Sequence, residues 1–288
     1  MNAFASKGLT EEGLSISLID ITGEIPPFPG GHFRGDASYY TASVVKLFYL
    51  AYYEAEKEAG RLEETPELSR AVKDMIAVSS NDATAFVVDS VTGTTSGPEI
   101  AKARAWARWK DKRNAVNRFF RARGYRDLNV NQKTFCEDAY GREQAFREGG
   151  KNRNRLTTRE TARLMAEIAR GQVAGPRGTE KMLLLLARDL SEKPDPDTEL
   201  EIAVLAGEKL PKGTRFWSKA GWAYDVRHLA ARVALPEGRD LVLVVFTKGA
   251  KDEKGIITAV FEKVAARFAG QTVRAVPGGP PNPLAPAR

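Results

Sequence analysis

Leu14, Ile16 and Leu18 alternate with Ser15, Ser17 and Ile19 ahead of Thr22-Gly23, a pattern that predicts a strand and a turn. The Pro/Gly-rich stretch 26–35 reads as a connection, since its glycines lack the Gly-Lys-Ser/Thr ending of a phosphate-binding loop. From Ser43 to about Leu190 the period becomes helical. A helix is predicted over 43–60, stopped at Gly60, and another over 68–78, with Val72, Met75 and Ile76 on one face. Thr157 caps a third, Glu160 three residues later completes a capping box, and Gly171 ends it.

After Pro211-Lys212-Gly213 the period returns to two. Strands are predicted over 214–220, 226–235 and 239–247, then an amphipathic helix over 255–268 with Ile256, Val260, Phe261, Val264 and Phe268 on one side. The N-terminal strand must therefore join the C-terminal ones in one antiparallel sheet, and the helical stretch is an insertion. One domain over 1–275 is expected, with α/β parts at 1–42 and 200–275 and a helical part at 43–199; the Pro/Gly-rich tail 276–288 reads as disordered. A site belongs where the two parts meet.

Composition narrows the chemistry. The 288 residues are 42% hydrophobic and 28% charged, as in ordinary globular chains. The runs 182–187 and 241–246 are too short to span a bilayer. One cysteine, Cys136, forms no intrachain disulfide, and with only His32 and His228 no metal site or other cofactor is expected. A net charge of +7 favours anionic partners without choosing one. The first residues lack the basic and apolar regions of a signal peptide, so a cytoplasmic location follows if the chain is native at its start, and a periplasmic or secreted one if it was trimmed.

Ser43-Val44-Val45-Lys46 places a hydroxyl and an amine one helical turn apart at a predicted helix start. A neutral lysine there can take the proton that a serine must lose to attack a carbonyl. Taken alone the pair is weak, because chance supplies about one such match in a chain of this length. Ser79-Ser80-Asn81 follows the second helix, and Lys219-Ala220-Gly221 lies on the strand Arg215-Phe-Trp-Ser-Lys-Ala-Gly221. Three such elements in this order give the pair its weight.

Together they resemble the site of the penicillin-recognising serine enzymes, class A β-lactamases and penicillin-binding proteins, over about 14–268. Ala42-Ser-Val-Val-Lys-Leu47 and Asn154-Arg-Leu-Thr-Thr158 add to the likeness. It implies an α/β (α+β) fold, an antiparallel five-stranded sheet flanked by N- and C-terminal helices with an inserted all-helical subdomain. It implies that Ser43 forms an acyl-enzyme, Lys46 activates it, Ser79 relays protons, Asn81 holds the substrate amide and Lys219 tunes the site and attracts a carboxylate. The backbone N–H groups of Ser43 and Trp222 would form an oxyanion hole beside Gly221. The implied substrate is a small molecule or peptide, a β-lactam or related amide or ester, handled by a monomer.

The chain departs from that pattern in three places. Ala220 stands where the family has a hydroxyl that helps bind the β-lactam carboxylate, and Arg227 is the candidate substitute. No Glu-x-x-Leu-Asn loop lies between Asn131 and Thr157, which leaves Glu137, Glu143 or no residue as deacylating base. The Ser43-to-Ser79 spacing is short, and a basic, Trp-containing stretch over 98–123 looks inserted. Without the usual glutamate, a DD-peptidase, amidase or esterase that releases β-lactams slowly is the alternative enzyme, and a non-catalytic binder is the alternative of another class. Lys and Arg residues over 102–126, with Trp106, Trp109, Phe119 and Phe120, read as an amphipathic helix with inward aromatics rather than a nucleic-acid surface. His228 reads as a packing or supporting residue rather than the base of a triad.

Overall fold

The computed structural model describes residues 2–23, 26–135, 139–193, 196 and 198–268; Cys136, Glu137 and the tail 276–288 lie outside them. A four-residue helix, α1 (Asn2–Ala5), precedes β1 (Leu14–Asp20). Then come β2 (Gly30–Phe33) and β3 (Tyr39–Tyr40). A single 3₁₀ turn over Ala42–Val44 leads into α2 (Val45–Glu58). The helical part continues with α3 (Pro66–Ala77), α4 (Asn81–Thr92), α5 (Ala103–Arg113), α6 (Ala115–Ala122) and α7 (Gly141–Phe146). After β4 (Arg155–Leu156) it is completed by α8 (Thr158–Ala169) and α9 (Pro176–Leu186). The chain returns through β5 (Ala187–Arg188), α10 (Glu199–Gly207), β6 (Arg215–Ala223), β7 (Val226–Ala234) and β8 (Asp240–Lys248) to α11 (Gly255–Phe268).

The main sheet is antiparallel in the order β2-β1-β8-β7-β6-β5. It therefore has six strands where five are expected. One strand is β2, inside the stretch read as a connection. Its Gly-Gly-His-Phe sequence has no apolar alternation, and it is held by backbone pairing to the edge of β1, with Ile19 opposite Gly30. A second short strand, the two-residue β5, pairs with β6 at the other edge. The first helix also differs from expectation, since Ser43 sits in the 3₁₀ turn and Lys46 in the first turn of α2.

Both faces of the sheet are covered. On one, Leu47 and Phe48 of α2, Val72 and Met75 of α3 and Ile168 of α8 meet Trp217, Val242, Val244 and Phe246. On the other, Ile202 and Ala206 of α10 and Ile256 and Phe261 of α11 pack on Phe216, Leu229 and Val245. Hence β7, between β6 and β8, is buried along its whole length, and its charged Arg232 is paired with Asp240 at 2.6 Å. A strand buried on both faces loses its period-two signature.

Thr157 caps α8 by accepting from the Glu160 N–H at 3.2 Å. The Glu160 carboxylate, however, accepts from the Arg126 N–H at 3.0 Å, which ties the preceding loop to this helix. In the basic stretch Trp106 stacks on Trp109, both meet Phe146 edge-on, and Phe120 packs on Phe48 and Tyr125. These rings belong to the interior of the helical part. No helix among the described residues is long and apolar enough to cross a membrane.

Candidate active site

A cavity of about 900 Å³ opens between the helical part and strand β6 of the sheet, lined among others by Ser43, Ser79, Asn81, Lys219 and Trp222. Three chain features bring these side chains together. The Ala42–Val44 turn presents Ser43, with Ala42 at φ 42°. Ser79 joins α3 to α4 at φ 56°, Ser80 caps α4 by accepting from Ala83 N at 3.1 Å, and Asn81 opens the helix. Strand β6 runs past both, and Gly221 lets it pass close: a Cβ there would stand 2.9 Å from Ser43 N, 3.0 Å from Thr41 O and 3.0 Å from Val44 N. Ala42, Ser79 and Tyr224, three of the non-glycine residues with positive φ, all line the cavity. Such conformations persist only where the surroundings hold them.

Lys46 is fully buried behind the cavity wall and donates to Ser79 O at 2.5 Å, Ser79 Oγ at 3.0 Å and Asn81 Oδ1 at 2.8 Å. Asn81 is fixed in turn by donating Nδ2 to Phe135 O at 3.2 Å. That loop is held by Asn154, whose Oδ1 accepts from Asn131 N and Gln132 N and whose Nδ2 donates to Gln132 O. From the opposite wall Lys219 donates to the same Ser79 Oγ at 2.9 Å and to its neighbour's carbonyl, Ala220 O, at 2.8 Å. Two lysine nitrogens thus converge on one hydroxyl.

The Ser79 hydroxyl passes its own proton outward, donating to Glu199 Oε2 at 2.5 Å. Glu199, the first residue of α10, also pairs with Lys219 at 2.7 Å, and its Oε1 accepts from Trp222 N at 3.4 Å. Burial disfavours its ionisation, but Lys219, Lys46 and the Ser79 hydrogen bond outweigh that and hold its carboxyl below the ordinary value. Burial pushes the Lys219 ammonium down; Arg188 adds to the effect and Glu199 opposes it. Arg188 itself is brought down to about 10 by burial. It spends its donors on the carbonyls of Ile76, Leu185, Ala187 and Ser218, clamping β5 and β6 to α3.

Other expected residues lie elsewhere. Ala220 contributes backbone to the cavity, but its methyl packs with Leu229 and Ile202 on the far face of the sheet. The Arg227 guanidinium stacks on Trp222 at 4.7 Å and donates Nε to Lys251 O; it does not line the cavity, because it stands opposite Trp222 in register, on the α11 side of the sheet. Glu143 is fully buried in a pair with Arg113 at 2.7 Å and accepts from Ser96, so it does not reach the cavity either. Glu137 lies outside the described residues. His228 is buried with Nδ1 accepting from Thr247 N and Nε2 directed at Tyr40 O, 2.8 Å away. That assigns the neutral Nε2–H tautomer, and burial lowers its pKa to about 4.

Glu199, Phe135, Asn154 and Arg188 contribute to the site without having been singled out as site residues by sequence. At the cavity mouth Arg153 lies between the rings of Tyr40 and Tyr224, 4.1 and 4.9 Å from their centres. Only Asn154 carried a signal, through its place ahead of Thr157. Among the described residues no group of three or more His, Cys, Asp and Glu side chains is arranged to hold a metal ion.

The fold is that of the β-lactamase and penicillin-binding class of proteins. The pattern of the beta-lactamase enzyme family matches residues 63–271, most of the chain, and the chain belongs to that family. The match takes in Ser79, Asn81 and Lys219 and begins after Ser43 and Lys46. Among solved structures, a β-lactamase from Sphaerobacter thermophilus DSM 20745 is similar at a TM-score of 0.65 and 20% identity, over 94% of this chain and 95% of that one. A β-lactamase from Chitinophaga pinensis DSM 2588 aligns at 0.65 and 16%, over 92% and 97%. A PBP-A mutant in an acyl-enzyme complex with penicillin G aligns at 0.64 and 20%, over 91% and 90%. A search of curated proteins finds no match.

Proposed function

We propose that this protein is a serine hydrolase that opens a β-lactam or related amide through an acyl-enzyme on Ser43. The observation that carries the reading is the convergence of Lys46 and Lys219 on Ser79 Oγ, at 3.0 and 2.9 Å, beside the wall that presents Ser43. In the proposed step neutral Lys46 takes the Ser43 hydroxyl proton, Ser43 Oγ bonds to the acyl carbon, and the C–N bond breaks as its nitrogen receives a proton through Ser79. The Ser43 N–H faces the developing oxyanion, the Trp222 N–H joins it by exchanging its long 3.4 Å contact with Glu199 Oε1 for the oxyanion, and Asn81 holds the substrate amide. Water then releases the acyl group and restores the Ser43 hydroxyl.

The position of Glu143 supports a second reading of the last step. With that carboxylate locked to Arg113, release is slow, and the protein acts as a penicillin-binding amidase, peptidase or esterase. A labelled penicillin followed by intact-protein mass tests both. One covalent adduct is expected on the wild type and none on Ser43→Ala, while Lys46→Ala slows its formation by about 10²–10⁴-fold. An adduct that survives Ser43→Ala overturns the proposal. Rapid loss of the adduct marks a β-lactamase, persistence the slow-release enzyme.

A further inference from the structure

Glu199 is placed as a ligand to the site rather than as part of its frame. Three donors from different parts of the chain converge on this one carboxylate: the Ser79 hydroxyl at 2.5 Å, the Lys219 ammonium at 2.7 Å and the Trp222 backbone N–H at 3.4 Å. A hydroxyl, a buried ammonium and a main-chain N–H aimed at a single point form a receptor for a carboxylate. The chain fills that receptor with its own side chain. Other buried cations of the cavity wall are engaged: Lys133 with Asp89 at 2.5 Å, and Arg188 with backbone carbonyls.

We propose that Glu199 is a specificity-determining residue that occupies the anion subsite of Ser79 and Lys219 and weakens binding of substrates that bring a carboxylate there, so that neutral esters and amides are favoured over acids. This rests on the cavity being the substrate site, as proposed above, but not on Ser43 being acylated. A substrate carboxylate entering the subsite meets a second negative charge competing for the same ammonium, and like charges at such separation disfavour one another strongly. A neutral substrate brings no such charge and leaves the Glu199–Lys219 pair intact.

The test is equilibrium binding of penicillin G and of its methyl ester to full-length Ser43→Ala and to the same protein carrying Glu199→Ala. Without Ser43 both probes bind reversibly, so the outcome is independent of acylation. The Ser43→Ala protein is expected to bind the ester more tightly than the acid. Removing Glu199 is expected to tighten penicillin G by at least about 10-fold and to change the ester by less than about threefold. Glu199→Gln, which keeps the shape and removes the charge, should shift binding the same way, and serves alone if the alanine variant melts early. Equal change for both probes, no gain for penicillin G, or no binding of either probe to either protein overturns the proposal.

Discussion

A Cβ at Gly221 would stand 2.9 Å from Ser43 N, inside the distance that carbon atoms tolerate. Its three nearest neighbours, Ser43 N, Thr41 O and Val44 N, are backbone atoms, so Gly221→Ala must push β6 away from the Ser43 turn rather than rotate a side chain aside. Displacements of this size cost catalysis more than folding. Acylation by a labelled penicillin is expected to fall about 10²-fold with circular dichroism unchanged. At this scale Ser43, Lys46, Ser79 and Lys219 were legible because each sits in a short motif on a recognisable element. Glu199 was not, since it reaches Lys219 from twenty residues away in sequence, across a turn and helix with no motif of their own. Arg227 was misplaced for a simpler reason. Its register opposite Trp222 puts its side chain under the sheet, which only strand pairing reveals.

His228 joins elements rather than reacting. It links β7 to Tyr40 of β3, just before the Ser43 turn, and to Thr247 of β8. Its pKa falls from 6.5 to about 4 on burial, so between those values the unfolded chain binds a proton that the folded one excludes. Stability is therefore fully present above pH 6.5 and is lost as pH falls toward 4, by about 3 kcal/mol for this group alone. Urea midpoints measured from pH 7 to 4 should show that decline in the wild type and a shallower one in His228→Gln. Helices were read well because α3, α8 and α11 each carry an apolar face and a boundary residue. The exposed glycines of β2 and the two residues of β5 leave no pattern to read, since backbone pairing with a neighbour is what makes them strands.

Across the whole molecule one core spans both parts of the chain. Phe246 of β8, fully buried, touches the rings of Tyr39 and His228 and belongs to the same cluster as Phe48 of α2. Phe246→Ala is expected to cost about 3–5 kcal/mol, and to lower in a single transition both the helical signal and the near-ultraviolet signal of the sheet. Separate transitions would mean that the helical part holds together without the sheet. The order of strand, helical insertion and strands was legible from the change of period near Pro211; the shared core was not, because periodicity says which face is apolar and not what it meets. The backbone twists at Ala42, Ser79 and Tyr224 carry a consequence at this scale. Glycine at any of them relieves local discomfort while freeing the very walls that shape the cavity. A laboratory lineage selected for heat tolerance alone would be drawn to these positions and would drift toward durable, idle proteins, so any such campaign must screen for turnover at every round.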